Sequence, residues 1–188
     1  MMKHYYISIL IFFTVFGYAS TPYRTRILTP SIKTLQVAVE NENNSLPIIE
    51  LNDTRKIEIR FDEMSHETKN YSYKVLHCNA DWTLSDITTN EYLSGYTNGY
   101  ITDYQHSVNT HYLYTHYRLN LPNDEMQFKI SGNYVILIYE DNQQDKPVAQ
   151  ACFSIVEPKV SITPTIRANT DIVINGRYQQ LDFDIALN

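Results

Sequence analysis

Short runs of this chain alternate between apolar and polar residues with a period of two. Lys56–Asp62 puts Ile57, Ile59 and Phe61 on one side and Lys56, Glu58, Arg60 and Asp62 on the other, as in a strand with one face in a core. Tyr71–Cys78 repeats the pattern with aromatic and β-branched residues, which favour strands. Ser31–Glu40 carries Leu35, Val37 and Val39 on one face, and Tyr112–Leu121 carries Tyr117, Leu119 and Leu121. Leu46–Leu51 is a short extended piece whose Pro47 predicts a sheet edge. Asn133–Glu140 is almost continuously apolar, which predicts a central strand covered on both faces. Asp141–Lys146 reads as a hairpin loop, and Val148–Val156 as the return strand. Thr83–Asn109 is polar, tyrosine-rich and punctuated by Ser94-Gly95 and Asn98-Gly99. It is expected to be the longest irregular stretch, and such loops on a rigid scaffold often carry binding.

About six or seven short strands with no amphipathic helix predict an all-β, immunoglobulin-like β-sandwich over residues 21–157. Gly132-Asn133-Tyr134-Val135-Ile136 sharpens the prediction. Tyr134 occupies the corner-tyrosine position at the start of strand F, and Ile136 takes the place of the second inter-sheet cysteine. Apolar packing should therefore pin the sheets together. Trp82 falls after strand C, so it is not the usual core tryptophan of such domains.

Glu157-Pro158 marks a boundary. Beyond it, Val160–Ile166 and Asp171–Ile174 look extended, Asn175-Gly176 is a hairpin signal, and Leu181, Phe183 and Ile185 alternate with Asp182 and Asp184. These roughly thirty residues cannot close a sandwich by themselves. Residues 158–188 are expected to open a second β domain that is truncated here. At the other end, Lys3 and His4 precede the apolar run Ile7–Phe16, and small residues follow at Gly17-Tyr18-Ala19-Ser20. Residues 1–20 read as a secretory signal peptide, since a run of about ten apolar residues is too short to span a bilayer.

The chain has 188 residues, 16 of them Tyr and 5 Gly, with a formal net charge of −6. Mild acidity without a basic stripe argues against nucleic-acid binding. Heavy tyrosine use suits strands and contact surfaces. Two cysteines, Cys78 and Cys152, fit an oxidising compartment, and their spacing leaves a bridge between them open. Cys152 alternates with Gln150 and Ser154, opposite Ala151, Phe153 and Ile155, and should face away from the core.

Candidate chemistry is sparse. His106, His111 and His116 recur every five residues, but an odd offset puts neighbours on opposite faces of a strand, a poor arrangement for a metal. His77 and Cys78 are adjacent in a strand and point to opposite faces, which denies them a nucleophile–base bond. Asp62 with Glu63, and Asp182 with Asp184, read as solvated faces or turn residues. Asn43, Asn52 and Asn70 open N-x-S/T triplets, relevant only to a eukaryotic secreted chain. No cofactor is implied. Asn79-Ala80-Asp81-Trp82 is the most distinctive polar element. It reads as a side-chain-capped turn with Trp82 folded over the end of the sandwich, or as a partner-contact corner anchored by that tryptophan. Asn79, Asp81 and Trp82, with Tyr96 and Tyr100 from the tyrosine-rich stretch, are the candidate contact residues.

At several stretches the chain resembles the plug protein of the bacterial type IX secretion system, found in Bacteroidetes. The resemblance is carried by Leu28-Thr29-Pro30-Ser31-Ile32-Lys33-Thr34-Leu35-Gln36-Val37, Leu46-Pro47-Ile48-Ile49-Glu50-Leu51-Asn52 and Phe61-Asp62-Glu63-Met64-Ser65-His66. It continues through His77-Cys78-Asn79-Ala80-Asp81-Trp82, Thr115-His116-Tyr117-Arg118-Leu119, Ser131-Gly132-Asn133-Tyr134-Val135 and Val156-Glu157-Pro158. The resemblance implies a first immunoglobulin-like domain and the start of the next. It also implies a non-enzymatic periplasmic role at the inner face of the outer membrane. The implied partner is a large outer-membrane translocon barrel, whose periplasmic mouth the protein would plug or gate. The residues alone also admit a secreted glycan-binding or adhesin-type module, in which Trp82, Tyr96 and Tyr100 would stack on sugar rings.

Overall fold

Alternation becomes burial along the central strands. In β4 (Ile57–Glu63), Ile57, Ile59 and Phe61 are all at most 1% exposed. The computed structural model describes residues 21–140, 145–172 and 177–187. The proposed signal peptide, most of the Asp141–Lys146 loop, and the Asn175-Gly176 turn lie outside the described residues.

Two sheets form the sandwich. The first runs β2 (Ile32–Val39), β4, β9 (Thr115–Leu121) and β8 (Asp103–His106). The second runs β1 (Arg26–Ile27), β12 (Ala149–Val156), β11 (Gly132–Glu140), β5 (Tyr71–Cys78) and β7 (Asn98–Ile101). A further short strand, β3 (Ile48–Glu50), runs parallel to the end of β12. This is the A-B-E-D and C-F-G partition of an immunoglobulin-like domain. The edge position of β3 agrees with Pro47, which has no N–H to give to a ladder.

The interior is aromatic. Phe61, Tyr71 and Tyr117 pack with ring centroids about 5 Å apart, and Tyr134 stacks on Phe153. Ile136 is fully buried in the same core, as its place in strand F requires. The Tyr134 hydroxyl donates to the Ile130 carbonyl oxygen at 2.8 Å, closing the corner anticipated from sequence. Tyr117 does a similar task from β9: its hydroxyl accepts from the Lys69 backbone N–H and donates to the Lys69 carbonyl. That pair of bonds ties the loop before β5 to the opposite sheet.

The structure departs from the sequence expectation in several places. Thr83–Asn109 is not irregular: it holds a single helical turn, α1 (Thr89–Tyr92), then β6 (Leu93–Gly95), β7 and β8. These strands have three or four residues each, too few for alternation to declare itself. The strand expected from Tyr112 begins at Thr115, and Tyr112 is 77% exposed. Within β2 the register shifts between Lys33 and Gln36, where Thr34 takes a positive φ; this bulge changes the phase after Ile32, while Leu35, Val37 and Val39 all pack on the core as the alternation predicts. A short strand missed from sequence, β10 (Met126–Phe128), pairs with β6.

After the sandwich, β13 (Val160–Arg167) pairs with β14 (Gln180–Leu187). The cross-strand pairs Val160–Leu187, Ile162–Ile185, Pro164–Phe183 and Ile166–Leu181 share one face, and every one of these residues is exposed. The opposite face carries Ser161, Thr163, Thr165 and Asp182. Asp171 and Ile172, expected to begin a strand, form a bend instead.

Candidate functional site

The outer face of the second sheet is built by the residues that β5, β11 and β12 turn away from the main core. Val135, Leu137, Tyr139, Cys78 and Cys152 are buried there, with Leu76, Tyr23 and Trp82 packed against them. The near-continuous apolar run of β11 is thereby explained, because its alternate residues enter two separate clusters. Trp82 is the lid of the second cluster.

A polar turn holds that lid in place. Trp82 N–H donates to the Asn79 carbonyl at 3.0 Å, and Asn79 N–H donates to the Thr83 carbonyl at 2.8 Å. The Asp81 carboxylate accepts from Thr83 N–H at 3.0 Å and from the Thr83 hydroxyl at 2.6 Å. These bonds draw the Asp81 carboxyl below the usual range. The Asn79 side chain donates to Thr83 and to the Leu84 carbonyl. Trp82 itself sits at φ 65°, a left-handed conformation uncommon outside glycine. From the other side, Tyr23 N–H donates to the Trp82 carbonyl at 2.9 Å. Asn79 and Asp81 thus build the turn, and Trp82 is the member of the corner with an apolar surface to offer.

Beside Trp82 lies an apolar groove of about 410 Å³, lined by Tyr23, Leu46, Pro47, Ile48 and Cys152 among others. Leu46 is 73% exposed. This groove was not foreseen from sequence; the signal available was an exposed leucine beside an edge proline. Tyr96 and Tyr100 are also exposed, but elsewhere. Tyr100 pairs with Ser72 near the start of β5, whereas Trp82 follows the far end of that strand, about 20 Å away at the rise of a strand. The five candidate contact residues do not form one patch.

His66, His77, His106 and His116 are engaged in hydrogen bonds, whereas His111 is exposed. His106 bonds Thr115 and Thr68, and His116 bonds Asp62 at 2.7 Å. His66 meets the Ser107 carbonyl and packs against His106 with ring centroids 4.8 Å apart. Among the described residues no group of His, Cys, Asp or Glu has a metal-binding arrangement. His77 lies inside, against Tyr134 and Tyr92, and burial holds its imidazole toward the neutral form. Cys78 turns to the opposite face, so no base stands beside the thiol. Burial pushes Cys78 up to about 12 and Cys152 up to about 11. Both thiols are free. Cys78 pairs with Asn133 and Cys152 with Val135, so a full strand and a two-residue step separate them, about 10 Å or more, beyond disulfide reach. Glu63 is buried and meets Lys69 Nζ at 3.1 Å, and the same ammonium reaches Glu140 at 3.0 Å. Among the described residues, no helix is long and apolar enough to cross a membrane.

Residues 32–157 match the family described as "Type 9 secretion system plug protein 1st domain". A crystal structure of a hypothetical protein from Parabacteroides merdae is 44% identical, with a TM-score of 0.79. The match covers 88% of this chain and 42% of that one, so this chain spans less than half the length of its solved relative. No curated protein matches.

Proposed function

Because the chain belongs to the type 9 secretion system plug protein family, we propose that it plugs or gates the periplasmic mouth of a large outer-membrane translocon barrel. The family match over residues 32–157 is the observation that carries this reading. Membership points to a structural role in secretion and not to catalysis. The protein acts in the periplasm, carried there by residues 1–20, and touches the membrane only through its partner.

A plug requires a rigid body and a reversible interface. The two-layered core supplies the first. Trp82 and the groove beside it, with Tyr96 and Tyr100 as a separate contact, supply the second. A specific contact of this kind buries about 1,000 Å² or more. Release follows from competition, since cargo that binds the same barrel surface shifts the equilibrium away from the plugged state. Residues 158–187 open a second β domain, in which the apolar face of the β13–β14 hairpin is half of a core.

Affinity capture from detergent-solubilised outer membranes tests the reading. Recovery of one large barrel protein in near-equal amount supports it; a capture that contains no barrel protein contradicts it.

A further inference from the structure

A second cleft lies where the chain crosses from one sheet to the other. Residues 68–72, entering β5, form one wall, and Tyr100, Ile101, Thr102 and Tyr104 form the other. Its volume is about 540 Å³, within the roughly 300–1,000 Å³ of small-ligand sites. Tyr100 and Tyr104 are 62% and 44% exposed at its rim. On the floor, Ser72 stands between Tyr100 of β7 and Tyr139 of β11. Its hydroxyl is buried and has no hydrogen-bond partner among the described residues, a costly state for a group that both donates and accepts. Lys69, the cation in the lining, is neutralised by Glu63 and Glu140. The cleft thus offers aromatic surface, hydroxyls from Thr68, Ser72 and Thr102, the Asn70 amide, and little net charge.

We propose that this cleft binds a neutral pyranose sugar. A pyranose has a C–H face that packs on an aromatic ring and a rim of hydroxyls that donate and accept. Tyr100 and Tyr104 receive the apolar face. Asn70 bonds the rim, and rotation of the Ser72 side chain toward the cleft gives its hydroxyl the partner it lacks. An anionic ligand would compete with Glu63 and Glu140 for Lys69, so the neutral class fits best. This binding shares Tyr100 with the proposed barrel contact but needs no barrel, so it is tested on the protein alone.

The test is titration of the purified, isotope-labelled protein with glucose, galactose, mannose and N-acetylglucosamine, followed by amide NMR, with glycerol as control. The expected result is a saturable shift for at least one sugar, confined to residues 68–72 and 100–104. Tyr100→Ala and Ser72→Ala should each weaken it about tenfold, the loss of roughly one good contact, while leaving the remaining spectrum unchanged. The proposal is overturned if no sugar shifts these amides, if glycerol shifts them equally, or if both variants bind as the parent does. It is equally overturned if an extended peptide shifts them where no sugar does, because the cleft would then serve the open edge of β7.

Discussion

A β-carbon on Gly132 would stand 2.3 Å from Nε2 of His77. Gly132 also has φ +148°, a backbone region that side chains disfavour. The glycine that opens β11 therefore lets the half-buried imidazole of His77 in β5 reach its place beside Tyr134. The His77 ring packs against Tyr92 and Tyr134 and its Nδ1 bonds the Ser85 hydroxyl at 2.9 Å, so moving it aside disturbs these contacts. Gly132→Ala should destabilise the domain by about 2–4 kcal/mol, combining backbone strain with overpacking. Urea unfolding of parent and variant measures this; equal midpoints would refute it.

Tyr134 closes the same corner. Tyr134→Phe keeps the ring and removes the bond to the Ile130 carbonyl. The expected loss is about 1–2 kcal/mol, the net worth of a hydrogen bond whose acceptor is left partly buried. Thermal and urea unfolding should agree, and the β-sheet circular dichroism should be unchanged.

The turn under Trp82 should be acid-sensitive. Thr83 holds the Asp81 carboxyl below its usual range, so its folded value lies below its unfolded one. Its contribution is present above the unfolded carboxyl range and disappears as pH falls through the folded one. Asp81→Asn should flatten that part of the stability profile, measured as melting temperature from pH 6 to pH 3. A variant profile parallel to the parent's would remove Asp81 from the account.

The thiols should be silent in the native state. With Cys78 raised to about 12 and Cys152 to about 11, both remain protonated and covered at pH 8. Thiol reagents should modify them only after denaturation, because the thiolate is the reactive form. The sign for stability follows: both folded values exceed the unfolded thiol value of about 8.5, so stability falls as pH rises from there toward 11–12. Rapid native labelling of either thiol would contradict the packing described for the outer face of the second sheet.

Long central strands were legible because their alternation spans enough residues to define a face. Ile57, Ile59 and Phe61 needed only a period of two, and Tyr134 needed only its place after Gly132. The outward direction of Cys152 was legible for the same reason. The candidate site was less so. Asn79 and Asp81 announced a turn, but which part of Trp82 stays exposed depends on Tyr23, which arrives from the far N-terminal segment through a backbone bond. The groove is made by four segments distant in sequence, around residues 23–25, 46–48, 82 and 152–154, and no local pattern foretells their meeting. β6, β7 and β8 were hidden because strands of three or four residues bury at most one or two residues each, and β8 buries none. Tyr96 and Tyr100 were grouped with Trp82 by composition, and the pairing of Tyr100 with Ser72 separates them.

The hairpin face of β13 and β14 offers a check on the second-domain proposal. Where this face stands uncovered, Ile162, Phe183 and Ile185 should bind an apolar dye. Ile162→Lys together with Phe183→Lys should abolish that signal without lowering the melting temperature of the sandwich. Dye binding unaffected by the pair would place the apolar surface elsewhere.

Channel conductance tests the central claim most directly. The barrel captured with this protein is placed in a planar bilayer, and the purified protein is added on the periplasmic side. The account predicts that conductance falls in a saturable, reversible manner, and that Trp82→Ala weakens the block while leaving the protein folded. Conductance that stays constant at saturating protein would contradict it.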